Sequence, residues 1–441
     1  MERFLMSELV KWKVSEPHLP LLLRGARQVG KTHLVRELAR QHFNNLVEIN
    51  FEKESKYKAC FDSFDPVSIL NSIALMKQQD IKAGGTLLFL DEIQACPNAI
   101  TALRYFKEEM PKLHVIGAGS LLEFAINSDA ISMPVGRVQY IYLKPLSFKE
   151  YLNASGNHRY VDFISNITLA SPVPEVIHND LLRLVREYMV IGGMPMVVDS
   201  YIKNKELLTS QRYQTVILDT YRDDFAKYAT KANHVHLEKV FDKAPGLVGQ
   251  QIKYSTIDAE TRSREIKSAI EKLNQAGIIF PCYSSMASGL PLHTYINERK
   301  FKLIFLDVGL VNRITRLEIE LLLREDIMLL NRGSIAEQFV GQELLAYQDC
   351  YEKAEIFYWS REQKNSNAEI DYLINFGSRI IPIEVKSGTT GRLKSLQIFL
   401  NEKNCPLGVR ISERPLIMND KILSVPFYIL SELKRLIHIS H

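Results

Sequence analysis

The sequence predicts a multidomain α/β protein built on a parallel sheet, and three observations carry that expectation. A short apolar run, Leu19 to Leu23, ends in a glycine turn, Gly25-Ala26-Arg27-Gln28-Val29-Gly30-Lys31-Thr32, and a helical pattern through Leu34, Val35, Leu38 and Ala39 follows it. A second run, Thr86-Leu87-Leu88-Phe89-Leu90, has no polar interruption, as a strand buried on both faces should read, and stops at Asp91-Glu92. Leu46 to Phe51, His114 to Gly119 and Val138 to Leu143 supply three more strands, with helices between them.

The glycine turn has the spacing of a phosphate-binding loop. Gly25 and Gly30 let backbone amides turn toward phosphate oxygens, and the helix that follows directs the positive end of its dipole at the same place. In that frame Lys31 reaches the β- and γ-phosphates of ATP and the Thr32 hydroxyl binds magnesium, with Ala26, Arg27, Gln28, Val29 and His33 completing the expected nucleotide-binding set. Ligands of such sheets sit at the carboxyl ends of strands, which gives Asp91 the role of holding magnesium through its water shell and Glu92 that of orienting or deprotonating the attacking water. Ser120, at the end of the fourth strand, reads equally as a sensor of the γ-phosphate and as the cap of the helix that begins at Leu121.

At 441 residues, with 46% hydrophobic and 24% charged residues, the chain suits about two to four folded domains. Cysteines 60, 96, 282, 350 and 405 form no C-x-x-C pair and have no His partners at zinc spacing, so neither a disulfide framework nor a zinc site is expected. No apolar run approaches the ~20 residues of a membrane helix, and the first residues are unlike a signal peptide; the expectation is a cytoplasmic protein with no membrane partner. The net charge of +4 decides nothing about nucleic acid, although residues 251–303 carry eight Lys or Arg against five Asp or Glu.

The order of these pieces resembles the AAA-type ATPase family whose members carry a C-terminal domain of unknown function numbered 4143. The residues that carry the likeness are the phosphate loop, Leu87 to Gln94, Gly117 to Leu122, Gly136-Arg137 with Pro145-Leu146-Ser147-Phe148, Gly192-Gly193-Met194-Pro195, Tyr221 to Phe225, and Phe305 to Leu310. The resemblance implies that Arg137 projects into a neighbouring subunit's nucleotide, and that Pro195 belongs to a G-x-P turn setting a helical lid against the base. A water-exposed loop arginine and a plain helix-capping turn are the bland alternatives. Asp223, Asp224 and Asp307 match acidic family positions without surroundings that assign them chemistry.

Residues 152–180, rich in Asn, Ser, His and Pro, read as a boundary or extended loop. Between Ile257 and Tyr283 a short helix signal, a longer one through Ile266, Ile270 and Leu273, and the strand Ile278-Ile279-Phe280 resemble a winged helix-turn-helix. Arg264, Lys267, Ser268 and Lys272 fall on its candidate DNA-recognition helix, where Glu265 and Glu271 dilute the positive face.

Ala368 to Ile374 and Arg379 to Lys386 read as a hairpin around Gly377-Ser378. That turn sets Asp371 opposite Glu384, with Lys386 on the same face. Opposed carboxylates call for a cation, and Asp with Glu-x-Lys on adjacent strands is the arrangement of the PD-(D/E)xK nucleases, in which carboxylates bind magnesium or manganese and the lysine activates water. The helix that begins at Ser334 resembles the one that contributes a further carboxylate in those nucleases, which implies that Glu337 completes the metal set with Asp371 and Glu384; Glu343 is its rival.

The expected architecture is therefore an AAA-like P-loop core over 1–155, a helical lid over 156–235, a winged helix over 236–300 and a restriction-endonuclease-like α/β domain over 301–441. The expected activity is ATP hydrolysis controlling a DNA-binding, nuclease-like module, in a homo-oligomer or with a partner protein. The alternative is an ATP-dependent signalling or scaffold protein that cuts nothing.

Overall fold

In the computed structural model the described residues are 1–119, 122, 136–228, 231–317, 333–361, 368–386 and 393–439, and the chain divides into two compact units. The first comprises residues 1–144, 275–277 and 349–353; the second comprises the remainder.

The first unit is built on a parallel sheet of β1 (Leu21–Arg24), β2 (Asn45–Asn50), β3 (Thr86–Asp91), β4 (His114–Ala118) and β5 (Gln139–Tyr142), in the order β2-β3-β4-β1-β5. Every residue of β1, β3 and β4 is buried, as uninterrupted apolar strands between two helical layers require. Leu22, Val47, Ile49, Leu88, Leu90 and Val115 share one core with Ile69 and Ile73 of the helix Pro66–Lys77 and Leu103 and Phe106 of the helix Pro97–Glu109. Asp65 starts the first of these helices by accepting from Ser68 N at 2.8 Å, with Pro66 as its first residue.

At the opposite end of the sheet, His18 and His114 stack with ring centroids 4.0 Å apart, and Trp12 meets both rings edge-on. His114 Nε2 lies 3.0 Å from the Lys13 carbonyl oxygen, and burial holds the His114 imidazole below its ordinary value.

The second unit contains an eight-stranded mixed sheet in the order β12-β13-β11-β10-β9-β8-β6-β7. Its strands are β6 (Ile279–Ser285), β7 (Ile296–Phe305), β8 (Phe357–Ser360), β9 (Glu369–Phe376), β10 (Arg379–Val385), β11 (Gly408–Ser412), β12 (Ile417–Asn419) and β13 (Ile422–Pro426). The helices Tyr254–Ile257 and Ser263–Gln275 precede the antiparallel pair β6–β7, and that pair continues into the sheet formed by the C-terminal strands. The β9–β10 hairpin turns at Gly377, φ +57°, in the register expected from the sequence, with Tyr372 opposite Ile383.

The segment 152–180 departs from the expected loop. It holds the ends of the helices Phe148–Ala154 and Glu175–Ile191 and the whole helix His158–Asn166, so that 167–174 alone connect the last two. A capping box at Ser147 and Glu150 and the apolar contacts of Tyr151, Leu152 and Ile164 outweigh the polar composition. Among the described residues, no helix is long and apolar enough to cross a membrane.

The His114 environment yields a pH prediction. Because the folded value lies below the unfolded one, the folded state binds fewer protons, and its stability is complete above pH 6.5 and declines as pH falls through the lower folded value. His114→Phe is expected to flatten the acid limb of the first unit's melting temperature; an unchanged pH profile would exclude His114 as its source.

Candidate functional site

The phosphate loop leaves β1 at its carboxyl end through backbone that only particular residues accept. Gly25 has φ +145°, Gln28 +64° and Gly30 +97°. A Cβ on Gly25 would collide with the Leu143 carbonyl oxygen. Gly30 stands at the N-cap of the helix Lys31–His42 and has no side chain to cap it, so the first-turn amides present a ready anion site. Lys31 curls over the loop, its Nζ donating to the carbonyl oxygens of Gly25 and Ala26 at 2.9 Å each. Burial pushes the Lys31 ammonium down to about 8, against the opposing pull of Glu92 and Asp91.

Asp91 closes the cradle from the end of β3. Its carboxylate accepts from Thr32 Oγ1 at 3.3 Å and Asn50 Nδ2 at 3.0 Å, and burial followed by the Glu92 charge raises its pKa. Thr32 and Asp91 thus place hydroxyl and carboxylate oxygens, of the chemistry magnesium takes, side by side at the loop. Glu92 sits in the left-handed region, φ 49°, and accepts from Gln94 Nε2 at 2.7 Å. Gln94 and Asn50 are site residues that sequence reasoning missed. Gly119 passes so close to Gln94 that a Cβ there would strike its amide oxygen.

The other expected nucleotide residues fall as follows. Arg137 pairs with Glu108 at 3.0 Å, and Glu108 also takes Arg104 at 3.1 Å. Ser120 lies outside the described residues. Pro195 belongs to the second unit and opens the helix Pro195–Asn204. The glycines before it have a local reason: Gly193 N donates to Asp307 Oδ2 at 2.6 Å, and a Cβ on Gly192, φ +78°, would strike the same carboxylate. Asp307 also caps the helix Val308–Thr315 through Leu310 N at 3.1 Å; burial raises it to about 6.

The C-terminal carboxylates lie in the second unit, and the structure separates the two rival glutamates. Glu343 accepts from Phe148 N at 3.0 Å in a buried network, where desolvation pushes it up to about 8. Glu337 points to the β9 carboxylates, and the ammonium of Lys302 on β7 lies among them. Lys302 Nζ stands 2.6 Å from Glu369, 3.2 Å from Glu337 and 3.3 Å from Asp371, with a side chain 2% exposed. Burial pulls this ammonium down, but Glu337, Asp371 and Glu369 outweigh it and hold the pKa well above the ordinary value. Asp371 Oδ2 accepts from Val385 N at 2.8 Å, and Lys386 pairs with Glu384 at 2.6 Å. Burial, then Asp371, raises Glu384 to about 7. Among the described residues, no group of three or more His, Cys, Asp or Glu side chains is arranged to hold a metal. The one hint of Lys302 in the sequence is a lysine set within an apolar strand, Phe301 to Leu306.

On the candidate recognition helix, Ile266, Ala269, Ile270 and Leu273 face the core, and Lys267 pairs with Glu298 of β7 at 2.8 Å.

A phosphate cradle at the end of β1, an acidic pair at the end of β3 and the parallel order β2-β3-β4-β1-β5 define a P-loop nucleotide-binding domain of ATPase type. Residues 18–152 match the AAA domain profile, 332–428 match the Domain of unknown function (DUF4143) and 182–320 match the Domain of unknown function (DUF8612). The chain thus carries a region that matches the AAA domain and a C-terminal region that matches the domain of unknown function 4143. Among solved structures it is similar to the Walker-type ATPase PABY2304 of Pyrococcus abyssi, at 16% identity and TM-score 0.46, covering 71% of this chain and 95% of that one. It is also similar to the Aeropyrum pernix ORC1 protein in complex with DNA, at 11% and 0.29, covering 71% and 90%. The Thermotoga maritima RuvB Holliday junction branch migration motor matches at 17% and 0.26, covering 62% and 86%. No curated protein matches the chain.

The crowding at Gly25 makes a direct prediction. Gly25→Ala should lower the affinity for MgATP by about tenfold or more, roughly 1.4 kcal/mol, while leaving the second unit folded. Calorimetric titration checks this, and unaltered binding would contradict the assigned loop geometry.

Proposed function

We propose that this chain is an ATP-hydrolysing switch whose nucleotide state controls its C-terminal module. The observation that carries the reading is the convergence of Lys31, Thr32, Asp91 and the glycine-built loop at the carboxyl ends of β1 and β3. Lys31 and the amides of Gly25 to Thr32 bind the β- and γ-phosphates; Thr32 and Asp91 would hold magnesium, which would supply positive charge against the phosphates. Glu92 exchanges its bond to Gln94 for one to the attacking water and accepts the water's proton. Arg137 acts on a neighbouring subunit's nucleotide in a homo-oligomer, giving up its pair with Glu108, and Pro195 orders the lid against the base.

The division into core, lid, winged helix and nuclease-like domain at 155, 235 and 300 belongs to this reading. So does DNA contact by Arg264, Lys267, Ser268 and Lys272, Lys267 giving up its pair with Glu298, and the free thiols of all five cysteines fit a cytoplasmic setting. The module has two candidate roles. In the first, Glu337, Asp371 and Glu384 hold magnesium or manganese and Lys386 activates water for phosphodiester cleavage. In the second, the chain is an ATP-dependent signalling or scaffold protein whose winged helix and C-terminal module contact protein partners and cut nothing. The Lys302 ammonium among the carboxylates favours the second.

The test is ATP turnover and plasmid cleavage in manganese for wild type, Lys31→Ala, Glu92→Gln and Asp371→Ala. Turnover should vanish in Lys31→Ala and fall about 100-fold or more in Glu92→Gln, with no cleavage by any protein. Undiminished turnover in Lys31→Ala would sink the ATPase reading, and cleavage lost in Asp371→Ala would restore the nuclease.

A further inference from the structure

We infer that Lys302 is the resident cation of the C-terminal carboxylate cluster, holding by an internal ion pair the position that a divalent metal takes in a nuclease of this geometry. The inference rests on the non-cleaving role given to the module above and supplies its physical basis.

Lys302 extends from β7, where its backbone pairs with Cys282 of β6, and its ammonium lies 5.5 Å from the Tyr358 ring centroid. At its tip stand three carboxylates from two elements, Glu337 on the helix Ser334–Ala346 and Glu369 and Asp371 on β9. A buried ammonium without partners is strongly disfavoured, as is a group of close carboxylates without a cation; each arrangement here relieves the other. A magnesium ion bound by Glu337 and Asp371 would need their oxygens at about 2.0–2.1 Å, in the space Nζ occupies at 3.2 and 3.3 Å from them. Lys302 cannot step aside into water, because its side chain is 2% exposed.

Neighbouring oxygens are also engaged: Asp371 Oδ2 takes the Val385 amide and Glu384 Oε1 takes Lys386. Glu384 Oε2 has no hydrogen-bond partner, which makes Glu384 the group through which a metal would have to enter.

The experiment is a Mn2+ titration of the full chain without nucleotide, followed by electron paramagnetic resonance, for wild type, Asp371→Asn, Glu384→Gln and Lys302→Met. Omitting nucleotide makes the result independent of whether ATP is hydrolysed, which is measured separately by turnover. Wild type should bind no Mn2+ that Asp371→Asn or Glu384→Gln removes. Lys302→Met should lower the melting temperature in chelator and gain one Mn2+ per chain, with the melting temperature recovering on binding. Mn2+ bound by wild type and lost in Asp371→Asn would overturn the inference. So would a folded Lys302→Met protein with an unchanged melting temperature and no bound Mn2+. Should Lys302→Met not fold, the wild-type titration decides alone.

Discussion

A charge taken out of water is disfavoured without a counter-charge within hydrogen-bond reach, and of two buried lysines in this protein one lacks that partner and the other has it. In the first unit, the Lys31 ammonium is buried against two neutral carbonyl oxygens, and desolvation without an adjacent anion lowers its pKa. In the second, the Lys302 ammonium is matched by Glu337, Glu369 and Asp371, and its raised pKa records the surplus. One lysine has no anion beside it, as the proposed phosphate site requires; the other already has its anions. The assignment of a nucleotide site to one unit and a closed ion cluster to the other follows from that contrast.

The same constraint organises the rest of the second unit. The helix Ser334–Ala346 carries Gln338, Gln342 and Glu343 into the interior, where they hold backbone groups of Phe305, Val308 and Phe148. Gln342 also donates to the Tyr188 hydroxyl, which donates in turn to the Leu146 carbonyl oxygen. With Asp307 on Gly193, these contacts tie together four segments far apart in sequence. Burying so many polar groups is tolerable because each finds a partner, and it fixes one arrangement of those segments. Glu343 and Asp307 are positioning residues of this network, so their acidity carries no implication of catalysis.

The sequence disclosed what local pattern dictates. The phosphate loop, the buried run ending at Asp91 and the β9–β10 register were legible because glycine spacing, uninterrupted apolarity and a two-residue turn each act over a few residues. Long-range partnerships were hidden. Nothing near Lys302 in sequence reveals that it meets Glu337, Glu369 and Asp371, and nothing near Gln94 shows that Gly119 packs on it. The helices of 152–180 were obscured by their Asn, Ser and His residues, which line the solvent face of an amphipathic helix as readily as a loop. The continuation of β6 and β7 into the C-terminal sheet is likewise a pairing across more than fifty residues of chain, beyond what strand propensity can report.

The proposed role of the buried Lys31 ammonium as the anchor for nucleotide phosphate is tested most directly by proton linkage. Titration calorimetry of MgATP at about pH 8.5, in buffers of different ionisation heat, reads the protons taken up on binding. With the free lysine near 8 and the bound one raised by the phosphates, binding should take up protons, and affinity should weaken as pH rises above 8. In Lys31→Ala the uptake should disappear along with most of the affinity. Binding without proton uptake, or equal affinity in Lys31→Ala, would contradict the account.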